Sequence, residues 1–122
     1  MAAGFWKRLL ASTLKDTDAD ELEEEEAERL KQDGHVRRHY YFTGRVQEVG
    51  FRYTAFYIAE DLGLTGWVAN LSDGRVELEI QGKAEGIELF LEKLNGSGRI
   101  RITGREETEI PLCREEGFRV KG

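Results

Sequence analysis

The stretch Gly44-Arg45-Val46-Gln47-Glu48-Val49-Gly50-Phe51-Arg52 stands between two differently patterned segments. Before it, Val36 to Thr43 (VRRHYYFT) is rich in aromatic and β-branched residues and predicts a strand, although Arg38 interrupts strict alternation. After it, Phe51, Ala55, Ile58, Ala59 and Leu62 recur on one face of a helix, and Gly63 sits where a left-handed cap would end it. A glycine-bounded loop that runs from a strand into a helix aims main-chain N–H groups, and the unsatisfied first helical turn, at one place. Such a place suits an oxyanion. Arg52 adds a fixed positive charge in that first turn, where the helix dipole disfavours it, so a bound anion gives the arginine a reason. The stretch predicts a phosphate cradle.

Working outward, Thr65 to Asn70 (TGWVAN) reads as a second strand and Asp73-Gly74 as a turn. Arg75 to Gln81 (RVELEIQ) alternates cleanly, with Val76, Leu78 and Ile80 on a dry face and Glu77, Glu79 and Gln81 on a wet one. Ala84 to Asn95 carries the stripe Ile87, Phe90, Leu91 and Leu94 of a second helix, with Gly96 as its cap. Arg99 to Thr103 alternates again and Arg105 to Ile110 continues it. Pro111 interrupts, and Phe118 to Val120 forms a short edge strand. The order strand, helix, strand, strand, helix, strand, joined by right-handed crossovers, predicts an α+β fold. It is a ferredoxin-like two-layer sandwich (βαββαβ), an antiparallel sheet with both helices on one face.

This unit is expected to span residues 36–122. Residues 1–35 hold five Lys/Arg against ten Asp/Glu, a net of −5 out of the chain's formal −6, and read as an acidic, unstructured N-terminal extension. Within it, Phe5, Trp6, Leu9 and Leu10 fall at roughly helical spacing among Lys7 and Arg8. They read as a frayed tail in preference to a membrane-surface or partner-binding helix, because short isolated helices are marginal in water. The remaining net of −1 argues against a general nucleic-acid binder, which needs a basic footprint. A single cysteine, Cys113, excludes an internal disulfide framework, and no apolar run is long enough to span a bilayer. The expected location is the cytoplasm, with no membrane partner.

Nucleophile candidates are few. Cys113 and Arg119 (CREEGFR) have the cysteine-to-arginine spacing of a thiolate phosphatase loop, but Glu115 and Glu116 fill what should be a loop of bare amides. His35 and His39 have no carboxylate partner that sequence identifies, and no spacing reads as a metal site. What remains is the amide loop, Arg52, and Asn70 at the end of a strand. That equipment can hold a phosphate dianion and place a water beside it. It suffices for an acyl phosphate, whose carboxylate leaving group has a pKa of about 4 and requires no general acid. Neither a metal nor a cofactor is expected.

Two stretches carry a resemblance. GRVQEVGFR (Gly44 to Arg52) resembles the G-x-V-Q-G-V-G-F-R signature of the acylphosphatase family, and GLTGWVANLSDGRVE (Gly63 to Glu77) resembles its second motif, G-x-x-G-W-V-x-N-x-x-D-G-x-V. The resemblance covers about Arg37 to Val120. It implies a ferredoxin-like enzyme that hydrolyses carboxyl-phosphate mixed anhydrides by in-line attack of a positioned water. It puts the phosphate-binding arginine on Arg52, the water-orienting asparagine on Asn70, and the phosphate-loop amides on Gln47, Glu48, Val49, Gly50, Phe51 and Arg52. Glu48 departs from the pattern, which has glycine there, and so does the acidic extension. A side chain at φ > 0 costs ~1 to 2 kcal/mol, and a carboxylate opposes a phosphate unless it points into solvent.

Two other readings stand beside the enzyme. One is a catalytically weakened phosphate-binding or regulatory module of the same fold, with the acidic tail as its contact to a partner. The other is an RNA-recognition domain, which shares the element order; Glu77 and Glu79 stand where stacking aromatics would be needed. The expected partner is a small acyl phosphate and the expected state a monomer, since no large apolar stripe is left over.

Overall fold

The computed structural model describes residues 20–122. The elements are β1 (Asp20–Glu21), α1 (Glu24–Gln32), β2 (His35–Arg45), α2 (Phe51–Asp61), β3 (Thr65–Asn70), β4 (Val76–Lys83), α3 (Ala84–Leu94), β5 (Arg101–Ile110), β6 (Cys113–Arg114) and β7 (Phe118–Val120). The main sheet has five strands in the order β5-β2-β4-β3-β7. Its first four make the ferredoxin-like arrangement, with α2 and α3 on one face.

The register explains the core. Tyr40 pairs with Leu78, Phe42 with Val76, and Val68 with Leu78, so the alternating apolar residues of β2, β3 and β4 share one face. There they meet Phe51, Ala55 and Ala59 of α2 and Ile87, Phe90 and Leu94 of α3, all essentially buried. Each large side chain of this kind contributes roughly 1.5–3 kcal/mol by leaving water. α2 ends as its sequence indicates: Leu64 N–H bonds to Ala59 O (2.9 Å) and Gly63 N–H to Glu60 O (3.2 Å), a Schellman motif with Gly63 at φ +69°. α3 ends differently from the expectation. Asn95 is extended and Gly96 N–H turns to Ile100 O (3.2 Å), so Gly96 opens the turn into β5 without capping the helix.

The sheet is mixed where an antiparallel one was expected: β7 runs parallel to β3. After β5 the chain leaves one edge of the sheet at the end where β2 begins, since Ile110 pairs with Arg37. It crosses the helix-free face and enters the opposite edge with Phe118 beside Gly66, the end at which β3 starts. A strand that enters at that end runs the same way as β3.

The crossing is held by a buried polar cluster. Arg37 Nη1 donates to Glu115 Oε1 (2.7 Å), and Arg37 Nη2 donates to Glu79 Oε1 (2.9 Å). The Gln81 amide exchanges hydrogen bonds with Cys113, Nε2 to Cys113 O and Cys113 N–H to Oε1, both 3.0 Å, as a strand partner would. Burial works against the charge on Arg37, but the Glu115 and Glu79 carboxylates outweigh it and hold the guanidinium above its usual range.

The acidic extension also requires correction. Residues 24–32, read as part of an unstructured extension, form α1. Glu24, Glu25 and Glu26 lie in its first turn and Arg29 and Lys31 in its last, so the charge order matches the helix dipole. Ala27 and Leu30 are half-buried, and Ala84 N–H bonds to Gly34 O (3.1 Å), which fixes the helix end beside the start of α3. β1 pairs with β6, and Arg114 Nη2 reaches Glu26 Oε1 (2.6 Å). The helical spacing noted at residues 1–15 lies outside the described residues.

Candidate active site

β2 delivers the loop and α2 receives it. Gly44 lies so close to β5 that a Cβ there would fall on the Arg101 carbonyl oxygen, so only glycine permits this pairing. Val46 is buried (1% exposed) and anchors the start of the loop, Val49 packs half-buried against the core, and Phe51 (2% exposed) leans on Phe42 with ring centroids 5.5 Å apart. Between these anchors Glu48 takes φ +62° and Gly50 φ +80°, two left-handed residues that turn the backbone amides toward one side. Among the described residues, no N–H from Gln47 through Arg52 donates to a protein acceptor. The cradle amides are free to bind an anion.

Gln47 does something the sequence did not indicate. Its Nε2 donates to Leu71 O and to Arg75 O, both at 2.9 Å. Its side chain is therefore a brace between the loop and the β3–β4 turn, while its amide stays with the cradle. That turn is itself pinned, with Leu71 N–H on Arg75 O (2.8 Å) and Arg75 N–H on Asp73 Oδ1 (3.1 Å). Hydrogen bonds from the Arg75 main chain, then its side chain, hold the Asp73 carboxyl below its usual range.

Arg52 and Asn70 meet at one atom. The main-chain oxygen of Gly122 accepts from Arg52 Nη1 (2.6 Å) and from the Asn70 main-chain N–H (3.4 Å). An acceptor oxygen thus already lies between the two residues singled out from the sequence. Asn70 Oδ1 is buried and has no hydrogen-bond partner among the described residues. Buried polar atoms are nearly always satisfied, by protein or by water, so this acceptor is disposed to accept a hydrogen bond from a water molecule.

Other candidates fall away. Cys113 is half-buried and burial pushes its thiol up, outweighing the opposing pull of Arg37, so a thiolate is disfavoured. Arg119 lies in β7, not on a loop entering a helix. His39 has a carboxylate partner that the sequence did not reveal: Nε2 lies 2.7 Å from Glu77 Oε2 across the β2–β4 pair, on the helix-free face. Among the described residues, no group of three or more His, Cys, Asp or Glu is placed to hold a metal ion.

The sequence profile of the acylphosphatase family matches residues 38–120. The chain belongs to the acylphosphatase family. It is 45% identical over 84 residues to an acylphosphatase of Pseudomonas paraeruginosa, covering 68% of this chain and 92% of the relative. To one of Methanospirillum hungatei it is 38% identical over 81 residues, covering 65% and 89%. The crystal structure of the Bacillus subtilis acylphosphatase superposes with a TM-score of 0.67 at 31% identity, covering 71% of this chain and 99% of that one. The acylphosphatase match begins after β1 and α1, which are additions packed at the end of the sheet remote from the cradle. No helix among the described residues is long and apolar enough to cross a membrane.

Proposed function

We propose that the cradle takes the phosphoryl group of a small acyl phosphate, with Arg52 and the amides of Gln47 to Arg52 on its oxygens and a water held by Asn70 Oδ1 in line with the acyl oxygen. The chain is an acyl phosphate hydrolase: water oxygen bonds to phosphorus, the phosphorus–acyl oxygen bond breaks, and carboxylate and inorganic phosphate result. Charge on the equatorial oxygens is met by preorganised donors, which is where such a site gains most. The carboxylate leaves without protonation.

The observation that carries this reading is the division of roles within one small region. The loop amides and Arg52 are donors only, as a phosphate requires; Asn70 Oδ1 is a lone buried acceptor, as an attacking water requires. The catalytic unit we assign is residues 36–122, acting as a monomer in the cytoplasm without a nucleic-acid partner. Cys113 is a free thiol, and Glu77 and Glu79 on the helix-free face are engaged with His39 and Arg37.

The test is hydrolysis of benzoyl phosphate in the presence of a metal chelator. Undiminished phosphate release is expected. Phosphate binding without turnover would instead make the chain a binding module of this fold.

Glu48 is the departure to probe. At φ +62° the side chain costs ~1–2 kcal/mol. Glycine would remove that strain but adds ~0.5–1 kcal/mol of unfolded-state entropy, so the stability gain is at most about 1.5 kcal/mol. The side chain is exposed, which screens its charge from the cradle. Glu48→Gly is therefore expected to raise kcat/KM by only about two- to fivefold. A decrease in steady-state assays would mean that the loop has adapted to the glutamate.

A further inference from the structure

The charges of this molecule are sorted by the fold. The net charge is −6, which by itself repels a phosphate dianion, yet the acids are concentrated on α1 and its surroundings, at the end of the sheet opposite the cradle. At the cradle end the topology gathers arginines. Arg45 closes β2 immediately before the loop, Arg101 opens β5, and Arg99 lies in the turn between α3 and β5. Arg45 and Arg101 are direct partners in the β2–β5 ladder, a like-charge pairing that works against the fold. Arg101 Nη1 is occupied by its own turn, donating to Ile100 O (2.7 Å) and Gly98 O (3.2 Å). Arg45 and Arg99 are exposed, and neither guanidinium has a partner among the described residues. Among the described residues, the acidic side chains at this end include Glu48 on the loop, Asp73, which is tied to Arg75, Glu77, which faces His39, and Glu92 in the last turn of α3, and the Gly122 oxygen lies on Arg52.

We propose that Arg45 and Arg99 are steering residues: their unpaired charges draw the anionic substrate to the cradle of a molecule whose net charge would otherwise repel it. This rests on the acyl phosphate reading of the cradle. Unpaired charge beside a concave donor site raises the local concentration of an anion, and the effect weakens as salt shortens the Debye length. The field acts on capture and not on the bond-breaking step. It enters kcat/KM and leaves kcat alone.

The sign of the salt dependence decides. Local attraction makes kcat/KM for benzoyl phosphate fall as NaCl is raised from about 10 mM to about 200 mM, whereas repulsion by the net charge makes it rise. The double variant Arg45→Gln/Arg99→Gln is expected to keep kcat, to lower kcat/KM about three- to tenfold at low salt, and to flatten the salt dependence. Its thermal midpoint should equal or exceed the parent's, because the like-charge pair is gone. Glu24→Gln/Glu25→Gln changes the net charge by the same amount in the opposite sense, at the remote pole, and is expected to change kcat/KM little. A flat or rising kcat/KM in the parent, or a double variant that keeps the parent's slope, would overturn the proposal. If the chain binds inorganic phosphate but does not turn over, the same salt series read by phosphate titration replaces kinetics. A fall in affinity that the double variant lacks supports steering even then, and identical curves for the two proteins reject it.

Discussion

Arg52→Ala is expected to lower kcat/KM for benzoyl phosphate about a thousandfold or more, with inorganic phosphate no longer binding measurably. Removing one preorganised donor from a developing oxyanion costs about 10²–10³ in rate, and a guanidinium brings a full charge and several donors. The position is specific to arginine. Arg52 sits in the first turn of α2, where its charge opposes the helix dipole, and its Nη1 already holds an oxygen, that of Gly122, at 2.6 Å. Arg52→Lys should recover only a small part of the loss, because a point charge on a flexible stem cannot reproduce a planar fork. The competing explanation is that Arg52 serves only to tie the chain beyond β7 to α2. In that case Arg52→Ala would lower the unfolding midpoint and leave phosphate affinity intact, and a phosphate titration of the variant separates the two.

Asn70→Ala is expected to produce a different kinetic signature. Its kcat should fall by about 10²–10³ while KM and phosphate affinity stay near the parent values, because the lost interaction orients the attacking water and does not touch the phosphoryl oxygens. Asn70 lies at the end of β3, and its main-chain N–H shares the acceptor Gly122 O with Arg52 Nη1. Its own Oδ1 is buried without a partner among the described residues, so the alanine variant leaves no donor of theirs stranded and the fold should tolerate it. A loss shared equally between kcat and KM would make Asn70 a phosphate ligand instead and would remove the water from our scheme.

Arg52 could be singled out as a candidate from the sequence because its setting is local. A strand, a loop with glycines at both ends and a helix with an arginine in its first turn specify an anion site within a short stretch, and Phe51, Ala55 and Ala59 show which face of that helix is inward. The alternation of Val76, Leu78 and Ile80 predicted a face that is fully buried. The acidic run misled for the converse reason. As composition it reads as solvated, while its helix depends on the order of its charges and on half-buried Ala27 and Leu30 finding the end of a sheet built by residues far along the chain.

By itself, then, the sequence determined the order of β2, α2, β3, β4, α3, β5 and β7 and the buried stripes, and it singled out Arg52 and Asn70 as candidates, all from periodicity and residue types over a few turns or strand lengths. Only the tertiary structure decided what depends on pairing between distant segments. The parallel course of β7 follows from where the Pro111 crossing delivers the chain; the brace from Gln47 to Leu71 and Arg75 needs the β3–β4 turn beside the loop; and the meeting of Arg52 with Asn70 at Gly122 needs the start of α2, the end of β3 and the residues after β7 at one place. The juxtaposition of Arg45 with Arg101 is of the same kind, since a strand register is invisible until both partners are in place.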